Sequence, residues 1–406
     1  MNIGIVTTWF ERGAAYVSRQ YRQVLQHDHN VYIYARADEY AIGDPSWDDE
    51  YVTWGKRLPF VMGTAVDLRD FRRWLVEKKI QLIIFNEQKW WPLVKFCNHL
   101  GIITGAYVDY YTEETVPFFE CYDFLICNTR RHYSVFSWHP NCIYIPWGTD
   151  LLAFKPSNFE PVVPGRVTFF HSSGMSPYRK GTDWILKAMD YLPNEARLFV
   201  HSQGSLNEKM PQLGSLIDRL IKEDKLEVYE KTVPTPGLYK RGDVYVYPSR
   251  LDGIGLSVPE ALASGLPVIT TNSPPMNEFV IPGENGRVVK IDKLVARADG
   301  YYWPQALIDQ ESLRKEMAYY VTNYESLAQF KAEAREYAEN KLDWFQNAKD
   351  LASQIETVTK RSESELEDVY YQILQYEKRH TSIQQKYPKL FHWLIKLTKL
   401  FRPVRV

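Results

Sequence analysis

Two successive series of short apolar runs constrain this chain more than any other feature. The first occupies residues 3–7, 31–35, 82–85, 102–108, 124–127 and 143–145, and most of its members are separated by stretches with helical spacing. The second occupies residues 167–171, 197–200, 226–229, 244–247, 268–271 and 287–289. Short runs of this kind, alternating with helical segments, are the pattern of buried strands in parallel α/β sheets. Because the series starts again, two such sheets are expected. The stretch 146–165, punctuated by Pro and Gly, lies between them and reads as a linker. The expected organisation is a parallel α/β domain over residues 1–150, a second over 151–350, and a helical extension over 360–406. With 406 residues and 45% hydrophobic side chains the chain is long enough to bury two cores.

Charge and cysteine content narrow the classes of partner. Lys plus Arg (49) balance Asp plus Glu (50), so the broad electropositive footprint of a nucleic-acid binder is absent and no nucleic-acid partner is expected. Cys97, Cys121, Cys127 and Cys142 show neither close pairing nor a histidine at zinc-finger spacing, which fits a reduced, cytoplasmic protein. The first residues, MNIGIVTTWF, read as a strand and not as an export signal, and no run reaches the ~20 apolar residues of a membrane span.

Residues 301–375 read as helix, part of it packing back on the first domain. The last segment differs. Over residues 386–406 there are Lys386, Lys389, Lys396, Lys399, Arg402 and Arg405 and no acid. On a helix Leu390, Leu394, Leu397 and Phe401 share a face, which is the composition of a helix lying in the headgroup layer of an anionic membrane. The alternative is a basic helix docked on the protein itself or on another subunit.

Residues 247–286 hold the densest cluster of candidate site residues. A strand ends at Pro248, the loop Gly253-Ile254-Gly255-Leu256 follows, and a helix is expected from about Ser257. Such a loop exposes backbone N–H groups at the positive end of a helix dipole and makes a seat for a diphosphate. Asp252 precedes the seat and Glu260 lies one turn inside the helix. The chain then continues through Gly265-Leu266-Pro267 into a buried strand, Glu278, and a turn through Gly283, Asn285 and Gly286. A second cluster, Gly174, Arg179, Lys180 and Gly181, follows the first strand of the second domain; its cations suit a leaving group that gains negative charge. In the first domain Gly13, with Arg12 beside it, sits between first strand and first helix, where close approach needs a small residue. Asp109 follows a strand and is either a site acid or a turn acid. His201 and Tyr229, at strand ends, are candidates for a base pocket or for packing.

Asp252, seven intervening residues, Glu260, then Ala261, Ala263, Gly265, Pro267 and Val268 resemble the signature of the family 4 retaining glycosyltransferases of GT-B fold. Gly174, Lys180 and Gly181 match a second segment of that family, and Pro146, Gly148 and Asp150, followed by Phe154 and Pro156, its interdomain stretch. Two departures stand out: Asp252 occupies a position usually held by Glu, and Met175 one often held by Arg. The resemblance implies two Rossmann-like domains facing across a cleft and transfer of a sugar from a UDP- or GDP-sugar donor with retention. It places Asp252 at the sugar and Glu260 at the ribose. Lys180, with Arg179, lies at the diphosphate, together with Gly13, Gly174 and the loop Gly253, Ile254, Gly255 and Leu256, while Asp109 sits near the reacting centre. It implies no cofactor and no metal. A basic tail adds the expectation of a lipid-linked or growing cell-surface glycan as acceptor, at the inner face of a bacterial cytoplasmic membrane. The competing readings are a silent nucleotide-sugar-binding scaffold and a nucleotide-sugar epimerase of the same fold.

Overall fold

The computed structural model describes residues 1–36, 41–56, 58 and 63–380. The first sheet contains β1 (Asn2–Thr7), β2 (Asn30–Ala35), β3 (Val52–Trp54), β4 (Leu82–Asn86), β5 (Ile103–Tyr107), β6 (Phe124–Cys127) and β7 (Cys142–Tyr144), in the order β3-β2-β1-β4-β5-β6-β7. The second contains β8 (Val167–Gly174), β9 (Ala196–Ser202), β10 (Leu226–Glu230), β11 (Val244–Tyr247), β12 (Val268–Thr271) and β13 (Gly286–Val289), in the order β10-β9-β8-β11-β12-β13. Every neighbouring pair in both sheets is parallel. The central strands are buried on both faces, which is why they read as unbroken apolar runs. Strand order reverses between β1 and β4 and again between β8 and β11. At such a reversal the connecting helices depart to opposite faces and leave a crevice beyond the carboxyl ends of the strands.

Three strands, β3, β14 (Ile291–Val295) and β15 (Gln305–Ile308), escape the apolar-run pattern. β3 is three residues long and half-buried throughout, too short to carry a period. Within the 301–375 stretch expected to be helical, Gln305–Ile308 is instead a strand, β15, paired antiparallel with β14 (Ile291–Val295). Four residues between Pro304 and an Asp309 that caps the next helix are too few to announce a strand. Helices then run over Gln310–Thr322, Leu327–Lys341, Trp344–Asn347, Leu351–Glu356 and Glu367–His380. The basic segment 386–406 lies outside the described residues. Among those described, no helix is long and apolar enough to cross a membrane.

The chain crosses between the sheets twice. Beside the first crossing, Thr149 N donates to Leu342 O at 2.7 Å and Trp344 N to Thr149 O at 3.1 Å. A Cβ on Gly148 would lie 2.5 Å from Leu342 O, so only glycine lets the two crossings touch. Asp150 accepts from the N–H groups of Leu152 and Ala153 and turns the chain into the second domain. After the return crossing Trp344 is fully buried against the first helix, and its Nε1 donates to Gln20 O at 3.0 Å. Helix Glu367–His380 buries Val369, Tyr370 and Ile373 in the core on the other face of the first sheet.

A single buried carboxylate anchors this return. Asp123 has no exposed surface and accepts from Thr104 N (2.7 Å), Arg361 N (2.8 Å) and Lys360 Nζ (2.9 Å). Removing one partner of a buried charge pair leaves the other uncompensated. Asp123→Ala should therefore lower stability by about 3–5 kcal/mol. It should also raise amide exchange in helix Glu367–His380 above that in β8–β13, which hydrogen–deuterium exchange would register.

Candidate functional site

The two strand-order reversals face each other across a cavity of about 530 Å³. The first domain contributes Gly13 beyond β1, Glu87 beyond β4 and Asp109 beyond β5. The second contributes Gly174, Arg179 and Lys180 beyond β8, and Asp252, Gly253, Ile254, Gly255, Leu256 and Glu260 beyond β11. The eleven residues that the resemblance places at the site thus line one cavity. Arg12 lies at its rim on the N-terminal side of the first helix, and His201 lines it, whereas the Tyr229 ring lies tilted beside His201 without reaching the wall.

On the second-domain side the arrangement centres on Asp252. One oxygen of its carboxylate is 2.7 Å from Lys180 Nζ and 3.3 Å from Arg179 Nη1, and the Tyr247 hydroxyl donates to the same carboxylate. Arg179 and Lys180 are neighbours in sequence, yet their charged ends converge because they lie in the turn before helix Thr182–Met189 and not in a strand. The turn closes at Gly181, where φ is +77° and a Cβ would stand 2.2 Å from Pro248 O. Met175 is 70% exposed and contributes no charge; the second cation at this point is Arg179. Burial on its own would raise the Asp252 carboxyl, but Lys180 and Arg179 outweigh it and hold the group well below the usual range. Burial in turn lowers Lys180 to about 8, with Asp252 opposing.

Glu260 lies at the first turn of helix Ser257–Ala263 and accepts from the Tyr239 hydroxyl at 2.6 Å. Burial raises it to about 7, against the Tyr239 hydrogen bond and the Lys180 charge. On the facing wall Asp109 is raised to about 7, first by burial and then by the hydrogen-bonded Glu87 carboxyl. Gly253 is where the walls meet: a Cβ there would be 2.2 Å from Asp109 Oδ1.

Residues outside those eleven hold the two walls in register. Arg131, 5% exposed in helix Arg130–Phe136 of the first domain, donates through Nη1 to Pro274 O at 2.7 Å and through Nη2 to the Asp252 carbonyl. Glu278 reaches the other way, its carboxylate accepting from Arg130 N (2.6 Å) and Arg131 N (2.9 Å). His132 is fully buried, and burial followed by the Arg131 charge lowers it to about 3, so its ring is neutral. The Gly253 carbonyl, 3.0 Å from Nε2, can only accept, which puts the proton on Nε2. Nδ1 then accepts from Tyr111, and the Tyr111 oxygen accepts from Trp303 Nε1 at 2.6 Å. A polar chain thus runs from the loop before β15 to the glycine loop. Each of these bonds joins residues at least 21 positions apart, so no local spacing could have announced them.

The architecture is the GT-B arrangement, in which two Rossmann-like domains present their switch points to a shared cleft. Residues 166–300 match the family described as glycosyl transferases group 1, a match that falls on the second domain. The resemblance carried by the sequence motifs is shown at that level. Over 99 residues the chain is 35% identical to a lipopolysaccharide core biosynthesis mannosyltransferase, LpsB, of Rhizobium meliloti, covering 24% of this chain and 26% of that one. Over 187 residues it is 27% identical to a GDP-mannose-dependent monoacylated alpha-(1-6)-phosphatidylinositol monomannoside mannosyltransferase of Corynebacterium glutamicum, covering 41% and 48%. The matched stretches span between 26% and 48% of the curated relatives' own length. Among solved structures, Anabaena HepE in complex with UDP and glucose superposes with a TM-score of 0.69 over 88% of this chain and all of its own, at 15% identity.

The raised Glu260 has a measurable consequence. Between its unfolded value near 4.5 and about 7 the folded protein binds the extra proton, so this group lowers stability as pH rises through that window. Glu260→Gln keeps the shape and removes the charge. In the ligand-free protein at pH 8 it should raise stability by roughly 1–3 kcal/mol and flatten the slope of Tm against pH between 5 and 8.

Proposed function

We propose that this protein is a retaining glycosyltransferase, similar to family 4, that moves a sugar from a UDP- or GDP-sugar to a glycan or lipid-linked acceptor. One observation carries the reading: Lys180 and Arg179 converge on Asp252 at one strand-order reversal, with Glu260 deeper in the same cavity and Asp109 on the facing wall.

The chemistry follows from that polarity. Breaking the donor's sugar–phosphate bond leaves a nucleotide diphosphate with an additional negative charge on its terminal phosphate. Two preorganised cations in a buried site stabilise that charge more in the transition state than in the bound donor. The N–H groups of the Gly253–Leu256 loop add to them at the start of the helix. Asp252 holds the cations in place when the donor is absent, and in the complex its carboxylate meets a sugar hydroxyl. Glu260 meets the ribose, exchanging its Tyr239 partner for a hydroxyl. The acceptor hydroxyl enters from the Asp109 side and gives its proton to the departing phosphate on the same face, so configuration is retained. No metal enters this scheme; Lys180 and Arg179 supply the positive charge.

The donor site is tested by thermal stabilisation of the purified protein, because a ligand that binds only the folded state raises Tm by mass action. At 100 times Kd the expected gain is ~2.7 kcal/mol for one base's diphosphate and its sugars. Lys180→Ala and Glu260→Ala should abolish the shift. No shift with any uridine or guanosine diphosphate would overturn the reading.

We also place the protein on the inner face of the cytoplasmic membrane through residues 386–406, whose cationic and apolar side chains suit anionic lipid. The relatives that act on lipopolysaccharide core and on a phosphatidylinositol mannoside support a membrane-presented acceptor. A chain ending at His380 retains the Lys360 and helix Glu367–His380 contacts. It should lose co-sedimentation with phosphatidylglycerol vesicles that the full chain shows, and equal binding by both would place the contact elsewhere.

A further inference from the structure

Glu87 has a backbone its side chain does not favour. Its φ is +54°, in the left-handed region, immediately beyond β4. Lys79 and Asp224 share that conformation, but each is exposed in a turn after a helix, where it is common. Glu87 alone of the three lines the cleft. Its conformation is imposed from below. The Arg36 guanidinium donates to Asn86 O (2.7 Å), Glu87 O (3.3 Å) and Gln88 Oε1 (3.1 Å), and Gln88 Nε2 donates to Trp90 O (2.8 Å). A strained backbone held by so many partners is a feature of binding sites more than of scaffolding.

The strain places the Glu87 carboxyl against that of Asp109. Other charged groups bear on Asp109 from every side: Arg131 from the first domain, Asp252 and Arg179 from the second, with the Tyr107 hydroxyl below and Tyr301 bound to its carbonyl. The cations among them are engaged elsewhere, Arg179 with Asp252 and Arg131 with the carbonyls of Asp252 and Pro274. The cleft is therefore uneven: Arg179 and Lys180 stand beyond β8, where Asp252 balances them, while a carboxyl pair without a cation of its own stands beyond β4 and β5, with Arg12 away at the rim.

We infer that Glu87 and Asp109 form a carboxyl pair that binds hydroxyls of the acceptor sugar, so that the acceptor is a neutral polyol at this position and not a phosphorylated or carboxylated one. The inference rests on the glycosyl-transfer reading, since it assigns the acceptor side of that same cleft. A carboxylate accepts from hydroxyl groups, its protonated partner donates to one, and together they repel an anion.

Glu87→Gln in the full chain tests it. Asp109, titrating near 7 in the wild type, should titrate about one unit lower once its neighbour's charge is gone, read as the carboxyl carbon resonance that Asp109→Asn removes. The acid limb of nucleotide release from UDP-glucose or GDP-mannose should fall by the same amount, with nucleotide diphosphate Kd changed less than twofold. Methyl glucoside and methyl mannoside should accelerate that release in the wild type at least tenfold more than their 6-phosphates do, and Glu87→Gln should narrow the gap. An unmoved Asp109 midpoint, a nucleotide Kd that changes with the acid limb, or 6-phosphates accepted as well as neutral glycosides would each overturn the inference. Glu87→Gly, which relieves the backbone, should keep or raise Tm while showing the same shifts; a lower Tm would make Glu87 structural and overturn it as well. A wild type that binds no nucleotide diphosphate would instead sink the glycosyl-transfer reading, and this assignment with it, even if the midpoint moves.

Discussion

The hydrogen bonds of Arg131 and Glu278 across the cleft are the contacts on which the site depends. Each domain sends a charged side chain to neutralise backbone groups of the other. Arg131 takes the Asp252 and Pro274 carbonyls, and Glu278 takes the N–H groups opening the helix that carries Arg131. Because guanidinium and carboxylate are both largely removed from water, neither can let go without leaving buried charge unpaired. The geometry of Asp252 is thus set from the first domain, and the spacing between Asp252 and Asp109 is a property of the interface, not of either sheet alone. The neutral His132 bridge to the Gly253 carbonyl fixes the neighbouring residue in the same way.

Electrostatics within the cavity follow from that registration. Lys180 and Asp252 are largely shielded from water and Arg179 partly so, and the charges are held by one another. Asp252 is driven far below its ordinary value while burial brings Lys180 down to about 8. An entering diphosphate would substitute for the carboxylate as the counter-charge, and little solvent would need to rearrange. Glu260 and Asp109 lie in the opposite condition, both near 7 because burial is not offset by a dedicated cation. Groups with values pushed apart in a common cleft are the mark of a site that handles charge.

Much of this was legible in the sequence, for physical reasons that differ by residue. Strands buried on both faces leave contiguous apolar runs, and the glycine loop with Asp252 and Glu260 is local in the chain, so both were visible. Lys180 and Arg179 were visible as charges, but their convergence was not, since it depends on the turn closed by Gly181. β3 and β15 were hidden by brevity, and β15 was absorbed into an expected helix. Arg131, His132, Tyr239 and Glu87 were illegible: each acts on a partner between 21 and 147 positions away, or through a backbone angle that no composition reports.

The chain's final return explains why the two halves are one unit. Residues beyond Leu342 add nothing to the second sheet; Trp344, Leu351 and Ile355 are buried in a cluster continuous with the first helix and with Ala261 and Leu262 of the second domain. The second domain is thus tied to the first at the touching crossings at Gly148 and across the cleft, where the Arg131–Glu278 exchange adjoins the loop before β15 and Tyr302 N donates to Tyr111 O. Tyr111 also links Trp303 to His132, so the loop before β15 and the glycine loop are coupled by hydrogen bonds. A displacement at the β14–β15 hairpin would therefore be felt at Gly253, where the two walls of the cleft stand in contact.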